Sequence, residues 1–404
     1  MFQSPVEGVT VVKKRIVIVG GGIAGMSAAH SLLERIGDAV EVTVVTKDPF
    51  YMAGPSRPLL LTGEQSYDRI TRGYEEAAAR GIKIVYGNVT RIDPGERRVY
   101  YTESPTRSYT STSENSLDYD YLILAPGVVY DGSSIEGYRE HWHRTASVYE
   151  PGRVDVLRSR VWSQNQGTVV VYAPPMPYRC APAPAETALV IDTVLRHRGV
   201  RDKFRIVHVD ANPKLQPPPL ADTIAKIYEE AGIEFITGQK ITEITANEVV
   251  LESGERIEYT ILALVEPNRA PRFIADAGLG QAWIEVKSPE KPRTPSYDDI
   301  LAAGDAAKLP FPKNQEIAYE SALYASNTII EEFGGEPASV QYTFLGWVYI
   351  GNRQGRLETL SIQFGLNFAT KPPKPTKDTE PRRDYTMQKD RWEQSYLNRL
   401  YHPK

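Results

Sequence analysis

The sequence is poorest in thiols and in clustered metal ligands. Its 404 residues contain one cysteine, Cys180. A single thiol excludes an intramolecular disulfide and any cysteine-based metal cluster built from this chain alone. The six histidines show neither HxxxH nor HExxH spacing, so no metal is assigned. No run of about eighteen apolar residues, the length that reads as a bilayer span, occurs anywhere. Residues 1–10 lack the basic-then-apolar pattern of a secretion signal, and the expectation is a cytoplasmic protein. Basic residues are not in excess: 47 Lys and Arg stand against 51 Asp and Glu, a formal net charge of −4. That balance offers nucleic acid no electrostatic footprint.

What is present is the composition of an ordinary globular chain, long enough for two or three domains. Residues 15–19 and 40–45 are short β-branched runs, and 23–35 between them has helical character, a βαβ opening. Further strands are expected at 82–86 and 119–124. A second opening follows at 169–173, with a helix at about 185–198 and strands within 199–210 and 232–236. Two such units in tandem predict an α/β fold with two Rossmann-like dinucleotide-binding domains. The first is split in sequence around the second: residues 1–150 and 271–335 form one domain and 151–270 the other, and 336–404 is a C-terminal β-rich segment with a terminal helix. Within that segment, residues 371–381 alternate Lys and Pro and read as an extended linker. Residues 387–401 read as a helix with Trp392, Tyr396, Leu397, Leu400 and Tyr401 on one face and Lys389, Arg391 and Arg399 around it. That pattern suits a helix lying in a membrane interface, on the inner face of the cell membrane, and equally one packed on the protein body or at a dimer contact.

Gly20-Gly21-Gly22-Ile23-Ala24-Gly25 fits GxGxxG and sits between a strand and a helix. Gly20 permits a tight turn, Gly22 lets backbone approach a pyrophosphate, and Gly25 lets helix and strand pack closely. The helix N-terminus then faces the phosphates. At the end of the second strand, Thr46 occupies the usual carboxylate position, which leaves Asp48 as the candidate ribose ligand. The strand at 119–124 runs into Ala125-Pro126-Gly127, and 300–303 runs into Gly304-Asp305. In this order the three motifs resemble the two-dinucleotide-fold flavoproteins, and the resemblance implies bound FAD, with Asp305 toward its ribityl and pyrophosphate region. The helix after Asn314 would point its N-terminus at the flavin pyrimidine edge, where Lys313 adds a charge unless it is simply solvated. On this helix Glu316 and Glu320 are proton-relay candidates. The loop 174–184 contains no glycine, and its proline-fixed backbone argues against a tightly held NAD(P)H.

The segment Tyr178-Arg179-Cys180-Ala181-Pro182-Ala183-Pro184-Ala185-Glu186 resembles a motif of the sulfide:quinone oxidoreductases and flavocytochrome c sulfide dehydrogenases. Asp48-Pro49-Phe50-Tyr51, Gly54-Pro55 and Pro312-Lys313 resemble the same family, and the likeness runs over about residues 14–368. Pro55 and Val89 join the candidate cofactor contacts on that ground. The resemblance implies that Cys180 lies over the flavin and works with a second, C-terminal cysteine in taking up sulfide sulfur. Here Val348 stands where that second cysteine is expected. Cys180 is therefore either a lone sulfur nucleophile or an inert buried thiol, and Glu186 either a proton carrier or a favourable charge at a helix start. The expected activity is an FAD-dependent oxidoreductase passing electrons from a reduced sulfur compound, sulfide or a thiol, to a quinone. The alternatives are a flavoprotein with a different donor and an FAD-holding, electron-carrying or non-catalytic subunit of a larger redox complex. A homo-oligomer is also open.

Overall fold

The computed structural model describes residues 12–103, 113–150 and 152–402. The β-branched runs form β1 (Lys14–Val19) and β2 (Val40–Thr46), with α1 (Ile23–Ile36) crossing between them. They pair in parallel, Lys14 opposite Val40 through Val19 opposite Val45. Both strands are buried almost throughout, as a parallel sheet covered on both faces requires. Next come β3 (Lys83–Asp93), β4 (Arg98–Glu103), β5 (Glu114–Asp118) and β6 (Tyr121–Leu124). A second sheet contains β7 (Thr145–Ala146), β8 (Gly167–Ala173), β9 (Phe204–Asp210), β10 (Glu234–Thr237) and β11 (Ile261–Leu264), with α2 (Ala183–His197) between β8 and β9. The chain then returns through β12 (Ile300–Ala302) to the edge of the first sheet. The strand orders are β12-β6-β1-β2-β3-β4-β5 and β7-β11-β8-β9-β10. The α/β class with Rossmann-type sheets is as the sequence predicts.

After β12 come α3 (Gln315–Glu332), an antiparallel sheet of β13 (Thr343–Gly351), β14 (Leu360–Asn367) and β15 (Lys374–Arg382), and α4 (Arg383–Tyr401). The expected linker at 371–381 is thus mostly β15. It pairs with β14 from Lys374 opposite Asn367 to Arg382 opposite Ser361. Its prolines are tolerated because β15 is an edge strand, where a missing N–H faces outward.

Of the alternatives for 387–401, the structure shows the apolar stripe packed on the protein body. Tyr396, Leu397, Leu400 and Tyr401 are buried, as are Lys389 and Glu393, and α4 packs on α1, β13 and β14. The amphipathic stripe faces protein, where tertiary apolar surface was available to bury it. Among the described residues, no helix is long and apolar enough to cross a membrane. One apolar core joins Ile16 and Val42 of the first sheet, Val169 and Ile206 of the second, Tyr349 of β13 and Tyr401 of α4, so the junction between the sheets is fixed by packing.

Candidate active site

Strand register brings the three glycine motifs together. Val19 lies opposite Leu124, and Leu124 opposite Ala302. Gly20, Ala125 and Ala303 therefore leave adjacent strands at one edge of the sheet. Gly20 takes φ +107°, and a Cβ there would sit 2.1 Å from the Ala125 carbonyl oxygen. A Cβ on Gly25 would sit 1.8 Å from the Gly20 carbonyl oxygen, whereas one on Gly22 would meet nothing within 4 Å. Two of the glycines are thus required by close packing, and the third faces open space at the start of α1. This is a cradle that fits a dinucleotide pyrophosphate. Gly127 and Gly304 follow at the neighbouring strand ends.

Around the cradle, Thr46 is buried and its hydroxyl is 3.4 Å from the Tyr74 hydroxyl, while Asp48 is exposed just past β2. Pro55 is half-buried, and its neighbour Gly54 approaches the Arg179 guanidinium. The Val89 side chain lies in an apolar cluster with Val45 and Ile92.

Cys180 takes φ +57°, a left-handed conformation costing a non-glycine residue roughly 1–2 kcal/mol. The surroundings hold it there. Its N–H donates to the Lys313 carbonyl (2.8 Å), and its own carbonyl accepts from Ala183 N–H (2.9 Å) and the Tyr149 hydroxyl (3.1 Å). Arg179 turns the other way: its Nε is 3.4 Å from the Asp305 carboxylate and its Nη1 3.5 Å from the Tyr130 hydroxyl. The cysteine loop of the second sheet is thereby bolted to the Gly304–Asp305 turn of the first. Burial, with the Glu186 charge next, pushes the Cys180 thiol up to about 12, so at neutral pH it is protonated.

The other candidates are tied more tightly than their sequence context suggests. Lys313 points its ammonium at the carbonyls of Asp305 (2.6 Å) and Ala307 (3.2 Å) and over the Trp283 ring (3.8 Å). It braces the 305–307 turn rather than standing solvated, and burial lowers it to about 8. Glu186 lies in the first turn of α2 and is buried. Its carboxylate accepts from the Tyr349 N–H (2.9 Å) and from the Lys389 ammonium (2.6 Å), deep in the protein. Glu316 accepts from Trp392 Nε1 (3.1 Å) and the Tyr396 hydroxyl (2.8 Å). Glu320 accepts from Thr343 N–H (3.1 Å), and burial raises it to about 8. Val348 is buried in β13 beside Tyr349, the residue bonded to Glu186.

Sequence reasoning missed three contributors. Arg57 is buried and donates to the carbonyls of Ala53, Met52 and Tyr149, tying the Gly54–Pro55 segment to the Tyr149 loop. Asn212 donates to the Pro174 carbonyl (3.0 Å) and accepts from Met176 N–H (2.9 Å), pinning the glycine-free loop. Lys389 supplies the counter-charge of Glu186. Only Lys389 had a signal, the four-residue spacing that places it on one helix face with Glu393 and Leu397.

The arrangement of cradle, cysteine loop and paired sheets defines a two-domain flavoprotein. The pyridine nucleotide-disulphide oxidoreductase family profile matches residues 14–326, and the chain belongs to that family; it is an FAD-dependent oxidoreductase. It is 22% identical over 339 residues to a mitochondrial sulfide:quinone oxidoreductase of Dictyostelium discoideum, covering 81% of this chain and 73% of that one. It is 21% identical over 384 residues to a type II NADH:quinone oxidoreductase of Staphylococcus epidermidis, covering 89% and 92%. Its fold is similar to the crystal structure of the sulfide:quinone oxidoreductase of Aquifex aeolicus, with a TM-score of 0.82 at 19% identity over 97% of this chain and 92% of that one.

Proposed function

We propose that this chain passes electrons from a small reduced sulfur compound, sulfide or a thiol, through FAD to a quinone. The observation that carries the donor half is the strained Cys180. A left-handed cysteine, held by three hydrogen bonds of which the one to the Lys313 carbonyl ties its loop to the Gly304–Asp305 side of the site, is a conformation that packing alone does not demand. The quinone half rests on the relatives, two of which are named for that acceptor. Gly20, Gly22 and Gly25 with Ala125, Gly127, Gly304 and Asp305 are the residues that would hold FAD, and Asp48 the one that would reach a ribose. Bound FAD supplies a two-electron acceptor at the site.

The protein's own part is to present one sulfur atom. In the proposed step a sulfur–sulfur bond would form between a hydrosulfide ion and the Cys180 thiol. The one proton on each sulfur would be released to solvent, FAD held by those residues would supply the two-electron acceptor, and Cys180 would be left as a persulfide anion. With Val348 where the family's second cysteine is expected and one cysteine in the sequence, the chain has no second thiol to displace that sulfur. An external sulfide or thiol must attack it and carry it away, so turnover depends on that acceptor. Asp305, Arg179, Glu186 and Lys389 set the charge around the thiol.

A second reading has some support. The raised Cys180 thiol suits an inert packing group, with a different donor reducing the flavin. NADH is not favoured as that donor, because loop 174–184 is glycine-free and clamped by Asn212. Anaerobic bleaching of the flavin by sulfide, thiols, NADH and NADPH tests the donor. Sulfide or a thiol is expected to bleach it, and bleaching by the nicotinamides alone would overturn the proposal.

A further inference from the structure

Gly21 is the one glycine of the turn that the GxGxxG pattern does not require. The structure supplies a reason for it. A Cβ on Gly21 would sit 2.7 Å from the Tyr74 hydroxyl and 2.9 Å from its ring. Tyr74 lies on Gly21 because its hydroxyl donates to the Gly21 carbonyl at 3.1 Å. A second phenol does the same from the opposite end of the chain: Tyr401, the last residue of α4, donates to that carbonyl at 2.9 Å.

Both rings are fully buried. They meet edge to face at 5.7 Å, and Tyr51 stacks on Tyr401 at 4.9 Å. Burial raises both phenols, so they remain protonated donors. The end of α4 is anchored independently. His30 Nε2 lies 2.8 Å from the Leu400 carbonyl, and His402 Nδ1 lies 2.6 Å from the Glu76 carboxylate.

The Gly21–Gly22 peptide is trans, so its C=O and N–H point in opposite directions. Two donors on the carbonyl fix the plane of that peptide. They turn the Gly22 N–H away from the phenols, at the residue whose free side faces open space. Donors held in place before an anion arrives cost no reorganisation when it binds. We infer that Tyr74 and Tyr401 are positioning residues for the cofactor pyrophosphate, and that α4 is a C-terminal clamp on the FAD site. This rests on FAD being the cofactor.

The test uses the full chain with Tyr74→Phe, Tyr401→Phe and both together, changes that remove only the hydroxyls. FAD release from each holoprotein is followed by the recovery of flavin fluorescence, and the melting temperature is taken with and without FAD. The expected result is a few-fold faster release in each single variant and about tenfold weaker FAD binding in the double variant, roughly 1.4 kcal/mol. ADP, which carries the pyrophosphate, should weaken in parallel. The melting temperature of the apoprotein should hold while the gain on adding FAD shrinks. Release within twofold of wild type in the double variant would overturn the clamp, as would an apoprotein loss equal to the holoprotein loss. An apoprotein that does not fold leaves the release rate from holoprotein as the deciding measurement. Wild type that binds no FAD would instead sink the cofactor assignment.

Discussion

The Lys389 ammonium lies 2.6 Å from the Glu186 carboxylate, and their side chains are only 7% and 1% exposed. The pair joins the C-terminal helix to the helix that begins three residues after Cys180. Glu186 also accepts from the Tyr349 N–H, and Lys389 sits 3.5 Å over the Tyr349 ring. Removing one partner of a buried pair leaves an uncompensated charge, at about 3–5 kcal/mol, whereas replacing both with neutral groups costs far less. Lys389→Met is therefore expected to destabilise the protein by that amount in a denaturant titration. Adding Glu186→Gln should recover most of the loss. Equal losses in the single and double variants would show that the ion pair is not the source.

The same geometry predicts how Cys180 reacts. The thiolate is disfavoured by burial and then by Glu186, with Asp305 adding to it and Lys389 and Arg179 opposing. Since the thiolate is the nucleophile, alkylation by iodoacetamide should be slow at pH 7. It should rise close to tenfold per pH unit toward about 12. Glu186→Gln removes a negative charge and should speed alkylation at fixed pH. Lys389→Met removes a positive one and should slow it. A rate that levels off by about pH 8, near the range of a free thiol, would contradict this.

NADH should bleach the flavin far more slowly than sulfide does. Asn212 holds the backbone at Pro174 and Met176, where a nicotinamide enzyme needs a glycine turn open to a pyrophosphate. Stopped-flow mixing with micromolar NADH is the check, and bleaching as fast as turnover would show that the loop admits a dinucleotide.

Much of this was legible in the sequence, for physical reasons. Buried parallel strands are continuous β-branched runs, so β1, β2 and β8 stood out. Glycines forced by contacts under 3 Å, at 20 and 25, announce themselves as a spaced motif. The structure also places the Cys180 N–H on the Lys313 carbonyl and the Lys313 ammonium on the Asp305 carbonyl. What was hidden depends on which surface meets which. The stripe on α4 has the same periodicity whether it meets lipid or protein, and only the packing settled that it meets protein. The 371–381 stretch looked extended because of its prolines, and an edge strand is also extended. The direction of the Lys313 ammonium, the pairing of Arg179 with Asp305 and the burial of Arg57 depend on contacts between distant segments that no local pattern encodes.

The most direct test of the account compares wild type with Cys180→Ser under anaerobic conditions, at equal sulfide and with bound FAD confirmed by its spectrum. If Cys180 takes the sulfide sulfur, wild type bleaches, and the serine variant, its FAD retained, bleaches at least about a hundredfold more slowly, ~2.7 kcal/mol in barrier. Rates agreeing within a few-fold, roughly 1 kcal/mol, would contradict the account and leave Cys180 as a packing residue beside a flavin that is reduced without it.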